Sequence, residues 1–388
     1  MQRLRALGSH RIHLRESFQK GVIKLKMDFP RNSYIEIARG EGRSQKFIED
    51  TLNYADKLIL QGLPVIFSLN HFAQIIGIDI LELKRTLENR GHYYSYYLIK
   101  KKKGGYRRII APHKNIKYLQ DWLKLNILDK LETHSAAKGF IKNKSIYDNA
   151  KVHLNADTIL NVDLNNFFES ISEKRVYGLF RHFGYHPNLA VHFAKICTVK
   201  MPEEKFENLD EFTQSHFQEY FNIEHSVLVQ GAPTSPTLSN LACLKLDNRL
   251  NKLSNKAGIN YSRYADDMTF SGEMSNLPKL SLLKKIIEDE NFKINWRKVG
   301  KFKQGQKQLV TGLLINKSVR IPKKFKRDVL RHLHFCEKFG PKAHFDKVKP
   351  GKLYRKEWLM GKILFINSIE PEVAKNMFEK MKKISWEV

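Results

Sequence analysis

Cysteine is scarce in this chain. Cys197, Cys243 and Cys336 lie far apart and fall in no CxxC or Cys/His pattern. Their arrangement excludes a disulfide framework and a cysteine-built zinc site, and it predicts free thiols in a reducing cytoplasm. Long apolar runs are also missing. The most apolar stretch, Leu58 to Leu69, is interrupted by Gln61, Gly62 and Pro64 and is too short to span a bilayer. The basic N-terminal segment has no apolar core of the kind that marks a signal peptide. No internal repeat or low-complexity segment stands out. Negative charge is in deficit, with 40 Asp and Glu against 68 Lys and Arg and a net charge of +28. Solubility alone does not need that excess, which predicts a polyanionic partner, most simply nucleic acid. A membrane surface would call for a bulky amphipathic helix or a lipidation motif, and neither is present.

What is present is globular: 388 residues, 42% hydrophobic and 11% aromatic, enough for two or three subdomains around substantial cores. Adjacent carboxylates stand at Asp266 and Asp267 in Tyr261-Ser262-Arg263-Tyr264-Ala265-Asp266-Asp267-Met268-Thr269-Phe270. Apolar-polar alternation breaks there and then resumes, which predicts the tip of a β-hairpin. Taken alone, such a pair is usually only a turn. Side-by-side like charges are best tolerated where a cation neutralises them. A third carboxylate is available at Asp163, in the apolar run Ile159-Leu160-Asn161-Val162-Asp163-Leu164. If the two strands are neighbours, Asp163, Asp266 and Asp267 can hold two Mg²⁺ ions and serve phosphoryl transfer, where metals do most of the chemistry.

Around this trio, periodicity predicts helices over residues 44–60, 70–90, 116–131, 172–184 and 280–289. Strands are expected at 93–100, 293–299 and 308–315, and a basic glycine hairpin at 100–110. Ser235-Pro236 reads as a helix start, with Ser at the cap and one apolar face running through Leu253. Residues 200–225 read as an acidic surface insertion of little regularity, and at least two helices follow Pro322. From Lys317 to Val388 there are 19 Lys and Arg against 8 Asp and Glu, a balance that fits a clamp on a nucleic-acid backbone.

Several blocks, in order, resemble reverse transcriptases. Leu160–Phe168 is similar to the first catalytic block, Gln230-Gly231-Ala232-Pro233-Thr234-Ser235-Pro236 to the QGxxxSP block, and Tyr264–Asp267 to the YxDD box. Asn291–Lys298 is similar to the next block, and Gly104–Ile109 to the fingers hairpin. Val229 stands where many relatives have proline. Two further motifs resemble those of bacterial retron enzymes: Asn149-Ala150-Lys151-Val152-His153 (NAxxH) and Val310-Thr311-Gly312 (VTG).

The resemblance implies an α+β right-hand polymerase fold: a basic N-terminal extension over 1–70, fingers over 71–157, an RRM-like antiparallel palm over 158–316 and a helical thumb over 317–388. No RNase H domain is expected. It implies a deoxynucleotide site using Arg107 for the triphosphate, with Arg108 or a Lys in 100–103 sharing the task or contacting RNA backbone. Phe168 would exclude a sugar 2′-OH, with Phe167 a core aromatic. Gln230 and Gly231 would approach the nucleotide, and Lys298 would protonate pyrophosphate or lie on the surface. Asn149, His153, Val310, Thr311 and Gly312 would serve a cognate noncoding RNA or hold structure. A retron enzyme would prime from a guanosine 2′-OH of that RNA and yield branched RNA–DNA in the cytoplasm. A separate effector protein would act with it in anti-phage defence, and host RNase H would trim the template. The rivals are a group II intron-like, diversity-generating or abortive-infection reverse transcriptase, and a non-catalytic RNA-binding scaffold of polymerase fold.

Overall fold

The computed structural model describes residues 29–101, 104–351 and 353–386. Residues 1–28 of the expected basic N-terminal extension, and Lys102 and Lys103 of the basic hairpin, lie outside them. The chain forms two compact units of mixed helix and sheet. One is the described part of Met1–His134 with Asn165–Leu246, and the other is Ser135–Leu164 with the described part of Asp247–Val388. Among the described residues no helix is long and apolar enough to cross a membrane.

In the first unit, helix Gln45–Leu60 begins where the Ser44 hydroxyl accepts from the Phe47 amide at 3.2 Å, and it buries Ile48, Leu52, Ala55 and Leu58 on one stripe. The helix expected over 70–90 is two, Leu69–Ile76 and Ile80–Glu88. Gly77 takes a left-handed conformation (φ 70°) that ends the first, and the Asp79 carboxylate caps the second. Strands β1 (Tyr94–Lys100) and β2 (Tyr106–Pro112) form the expected antiparallel hairpin, and helix Lys114–Asn126 follows. Residues 200–225 differ from expectation. They carry helices Glu203–Glu207 and Glu211–Phe221, and Phe217 and Tyr220 enter a core with Tyr94, Ile110, Val199 and Val227. Two buried residues in a polar helix are too few to show as a stripe.

The helix predicted from Ser235 breaks at Cys243 into Ser235–Ala242 and Leu244–Lys256. Thr234, in helical conformation, holds the cap position without a capping side-chain bond, so Ser235 is the first helical residue and not the cap.

The second unit is built on a four-stranded antiparallel sheet of β3 (Thr158–Asp163), β4 (Asn260–Tyr264), β5 (Asp267–Gly272) and β6 (Gly300–Lys303), in the order β4-β5-β3-β6. The strand expected at 293–299 is instead a single 3₁₀ turn, Trp296–Lys298, ahead of β6. Helix Leu280–Asp289 is as expected. β7 (Leu309–Val310) and β8 (Leu313–Leu314) form a small hairpin with Thr311 and Gly312 at its tip, both at positive φ (48° and 84°). That pattern matches the twist of the flanking strands and is easy for glycine but strained for β-branched threonine. Four helices follow, Lys323–Phe339, Pro341–Val348, Arg355–Asn367 and Pro371–Lys382. Their apolar faces join Ile159, Val310, Leu313 and Ile315 in one core with Val329, Leu333, Leu359 and Met377.

Candidate active site

All three carboxylates belong to the sheet unit. β3 and β5 are neighbours, and Asp163 pairs directly with Asp267 across them. Side chains of a cross-strand pair share one face and stand close, so two carboxylates there repel. Burial, then the charges of Asp163 and Asp266, push the Asp267 carboxyl up to about 7. The Asp163 carboxyl is also raised, by burial first and by Asp266 among the charges, against the opposing pull of Lys298.

Three groups order these carboxylates. The Lys298 ammonium donates to both oxygens of Asp163 at 2.8 Å. Asn295 donates its backbone amide to the Asp163 carbonyl at 2.8 Å and its side-chain amide to Oδ1 at 3.2 Å. The third is Arg263, wholly buried, which pairs with the equally buried Asp247 at 2.6 Å through Nη2 and 2.9 Å through Nε. Tyr261 adds a hydroxyl bond to Asp247 at 2.8 Å. From that anchored position Arg263 Nη1 donates to the Ala265 carbonyl at 3.0 Å. Tyr264 and Asp267 close the hairpin, and Ala265 stands in the left-handed region (φ 57°) that favours glycine. The buried arginine therefore holds a strained turn between the two strands that carry the acids.

Sequence reasoning missed Asp247, Arg263 and Asn295. A signal existed for two of them. Asp247 stands three residues before Leu250 on the apolar stripe of its helix, and Arg263 sits in a strand whose neighbours are buried. A charge at such positions needs a partner.

The oxygen set suits a hard divalent cation, which binds carboxylates and retains water. The crowding of like charge at Asp163 and Asp267 is relieved by such an ion, so the residues present fit one. Among the described residues no three carboxylate, histidine or thiol groups close around a single point, and Lys298 supplies the neutralising charge at Asp163.

The other predicted residues divide between the units. In the first, Arg107 is exposed on β2 and makes no ion pair among the described residues. Arg108 is engaged instead, donating to Glu169 at 2.5 and 3.1 Å, to Asn166 at 3.3 Å and to the His216 carbonyl at 3.2 Å. Phe167 is buried and Phe168 half-buried, their rings 5.5 Å apart. The Gln230 carbonyl accepts from the Ile110 amide at 2.8 Å. At Gly231 (φ 127°) a Cβ would lie 2.7 Å from the Ile110 carbonyl oxygen, so the backbone that this glycine lets approach is that of β2.

In the second unit the two short motifs meet. Thr311 Oγ1 donates to the Ile146 carbonyl at 3.2 Å, at the start of helix Ile146–Lys151, which carries Asn149. Val310 is buried beside Ala150 in one core, and Gly312 is exposed at the hairpin tip. Asn149 and His153 are both buried. The Ser262 hydroxyl gives its one proton to Asn149 Oδ1 at 2.8 Å, so it accepts from His153 Nε2 at 2.7 Å, and His153 Nδ1 accepts from Ser271 at 2.7 Å. Neither Asn149 nor His153 reaches the surface, so RNA recognition through them would have to run through the elements they hold.

Burial, then the charge of Lys138, pulls the His153 imidazole down to about 3 from its usual 6.5. Between those two values the unfolded chain binds a proton that the folded chain refuses, so stability falls as pH falls. Acidification from neutrality to pH 5 is expected to cost about 2 kcal/mol at this residue. Unfolding measured against pH should show that loss shrinking by this amount in His153→Gln; an unchanged slope would refute the assignment.

Residues 99–315 match the family described as reverse transcriptase (RNA-dependent DNA polymerase). The chain is 32% identical over 337 residues to the retron Mx162 reverse transcriptase of Myxococcus xanthus, covering 80% of this chain and 65% of that protein. It is 31% identical over 334 residues to the retron Ec86 reverse transcriptase of Escherichia coli, covering 83% of this chain and 95% of that protein. To the retron Mx65 reverse transcriptase of Myxococcus xanthus it is 29% identical, over 86% of this chain and 76% of that protein.

Proposed function

We propose, from the premise that this chain belongs to the reverse transcriptase family and is similar to its retron members, that it copies a cognate structured noncoding RNA into branched RNA–DNA. The observation that carries its polymerase chemistry is the cross-strand pair of Asp163 and Asp267 beside Asp266, and the motifs at Asn149–His153 and Val310–Gly312 support the narrowing to a retron enzyme. In this reading Asp163, Asp266 and Asp267 hold two Mg²⁺ ions, the β3–β6 sheet is the palm, and the basic helices after Pro322 are the thumb. Bound ions would activate the attacking hydroxyl and offset charge on the departing pyrophosphate. Lys298 would pass from Asp163 to a phosphate oxygen and donate its proton there. Arg107 would grip the triphosphate through its fork of donors, with Arg108 keeping β2 in place through Glu169. The net charge of +28 supports a backbone-tracking hold on RNA and its DNA copy. Priming from a guanosine 2′-OH, trimming by host RNase H and defence through a separate effector complete the proposed cycle in the cytoplasm.

The sugar gate provides the test of deoxynucleotide specificity. Phe168→Ala is expected to raise incorporation of ribonucleotides relative to deoxynucleotides by at least about tenfold, because only bulk excludes the 2′-OH. Single-nucleotide extension on an RNA template measures it, and unchanged sugar selectivity would remove Phe168 from the site.

A further inference from the structure

The buried motif residues stand behind the carboxylates, on the same face of the sheet. Along β5 every second side chain points to one side, so Asp267, Thr269 and Ser271 form a row. Asp163, Asn161 and Ile159 continue that face on β3, and Tyr264 and Ser262 continue it on β4. Both polar residues behind Asp267 in the row are tied to groups outside β5. Thr269 Oγ1 donates to Asn161 Oδ1 at 3.2 Å, and Asn161 Nδ2 donates on to the Leu309 carbonyl of β7 at 3.1 Å. Ser271 donates to His153, His153 to Ser262 on β4, and Ser262 to Asn149. Each proton in that chain has one direction, so an apolar residue at 149 or 153 would strand a wholly buried hydroxyl.

Asn149 keeps its place although its Nδ2 has no partner among the described residues. An unmade donor in a core is unfavourable, so packing alone does not account for an amide here. The segment that carries both motif residues is fixed in turn from the β7–β8 side. Besides the bond from Thr311 to Ile146, Gln308 Nε2 donates to the Ala156 and Asp157 carbonyls at 3.1 Å each. Apolar patterning does not specify the register of these strands alone. A slip of β5 by two residues against β3 would leave every side chain on its own face, yet move Asp267 about 7 Å from its place opposite Asp163. Hydrogen bonds between particular side chains tell the two registers apart. The turn beyond them is strained at Ala265 (φ 57°) and would gain by relaxing.

We propose that Asn149, His153 and Asn161 are positioning residues for the polymerase reaction: backed by the β7–β8 hairpin, they clamp β3, β4 and β5 so that Asp267 stays opposite Asp163. This rests on the polymerase reading above. In it the motifs at Asn149–His153 and Val310–Gly312 serve the carboxylates from behind, and Asn149 and His153 make no contact with RNA.

The test uses the full-length protein, with Mn²⁺ as the probe ion and a mixed-sequence RNA template annealed to a DNA primer. Free Mn²⁺ is read by electron paramagnetic resonance without nucleotides, so metal binding is measured apart from synthesis. His153→Leu should weaken Mn²⁺ binding and lower kcat by about tenfold each, the scale of losing a group that orients metal ligands. Its KM for primer–template and its RNA affinity should stay within about twofold of wild type, because the basic surface is untouched. His153→Gln keeps a donor and an acceptor and should recover most of both losses. Ser271→Ala deletes one bond and little volume, and it should show the same pattern at about threefold. Circular dichroism and thermal unfolding identify the variants that are folded at the assay temperature. Wild-type Mn²⁺ affinity and kcat in folded His153→Leu, or in Ser271→Ala should the first not fold, would overturn the clamp. A defect confined to RNA affinity would overturn it as well, by making these residues RNA contacts. A wild-type protein that binds Mn²⁺, loses it in Asp266→Asn/Asp267→Asn and never extends a primer would instead overturn the polymerase reading on which the clamp rests.

Discussion

Replacing Asp266 and Asp267 together with asparagine is expected to lower metal-dependent DNA synthesis by at least about a thousandfold, the scale of losing several kcal/mol of charge stabilisation. Asparagine preserves the shape of each side chain and removes the charge that draws a divalent cation. RNA affinity should stay close to wild type, because it depends on the basic surface. The fold should also persist. Asp267 stands opposite Asp163 with its carboxyl pushed up to about 7, so deleting negative charge there relieves repulsion and does not break a favourable contact. Primer extension, filter binding and thermal unfolding on one preparation separate these effects. Synthesis retained by a folded double variant would remove the carboxylates from catalysis.

The second large effect concerns stability. Asp247→Ala leaves the Arg263 guanidinium wholly buried without its carboxylate, and a broken buried pair costs about 3–5 kcal/mol. Replacing both partners by apolar residues, Asp247→Leu with Arg263→Met, is expected to recover much of that loss, because no charge is then stranded. Activity should not return with stability. The bond from Arg263 to the Ala265 carbonyl holds the strained turn beside Asp266, and methionine cannot make it. Denaturant unfolding beside extension rates measures both. A loss below about 1 kcal/mol in Asp247→Ala would contradict the buried-pair account, and full activity in the double variant would contradict the role given to the turn.

These two sites also show which features could be read from the residues and which could not. The acid pair at Asp266 and Asp267 was visible because it interrupts an alternation, and Asp163 because it ends an apolar run. Their meeting follows from β3 and β5 being neighbours. Helix Leu280–Asp289 was legible from its apolar stripe. The two helices within 70–90 were not separable, because the left-handed turn at Gly77 leaves the apolar period almost unbroken. Helix Glu211–Phe221 was hidden for the opposite reason, with only Phe217 and Tyr220 buried. Arg263 and Asp247 each carried the signal of a charge at an apolar position, but their pairing exists only once the helix and the strand are packed. Asn295 was read as part of a strand, whereas only an isolated bridge at Ile294 pairs there, with Leu164, before the chain enters the turn Trp296–Lys298. His153 was read as serving a cognate RNA or holding structure, and its burial between Ser262 and Ser271 depends on strand register that no local pattern reveals.

The most direct test of the central claim is the nucleic acid that co-purifies with the protein when it is expressed with its native flanking DNA. The account predicts a DNA strand joined to RNA through a guanosine 2′-OH, sensitive to debranching enzyme, present with wild-type protein and absent with Asp266→Asn/Asp267→Asn. Recovery of RNA alone from the wild type, or of the same branched species from the double variant, would contradict it.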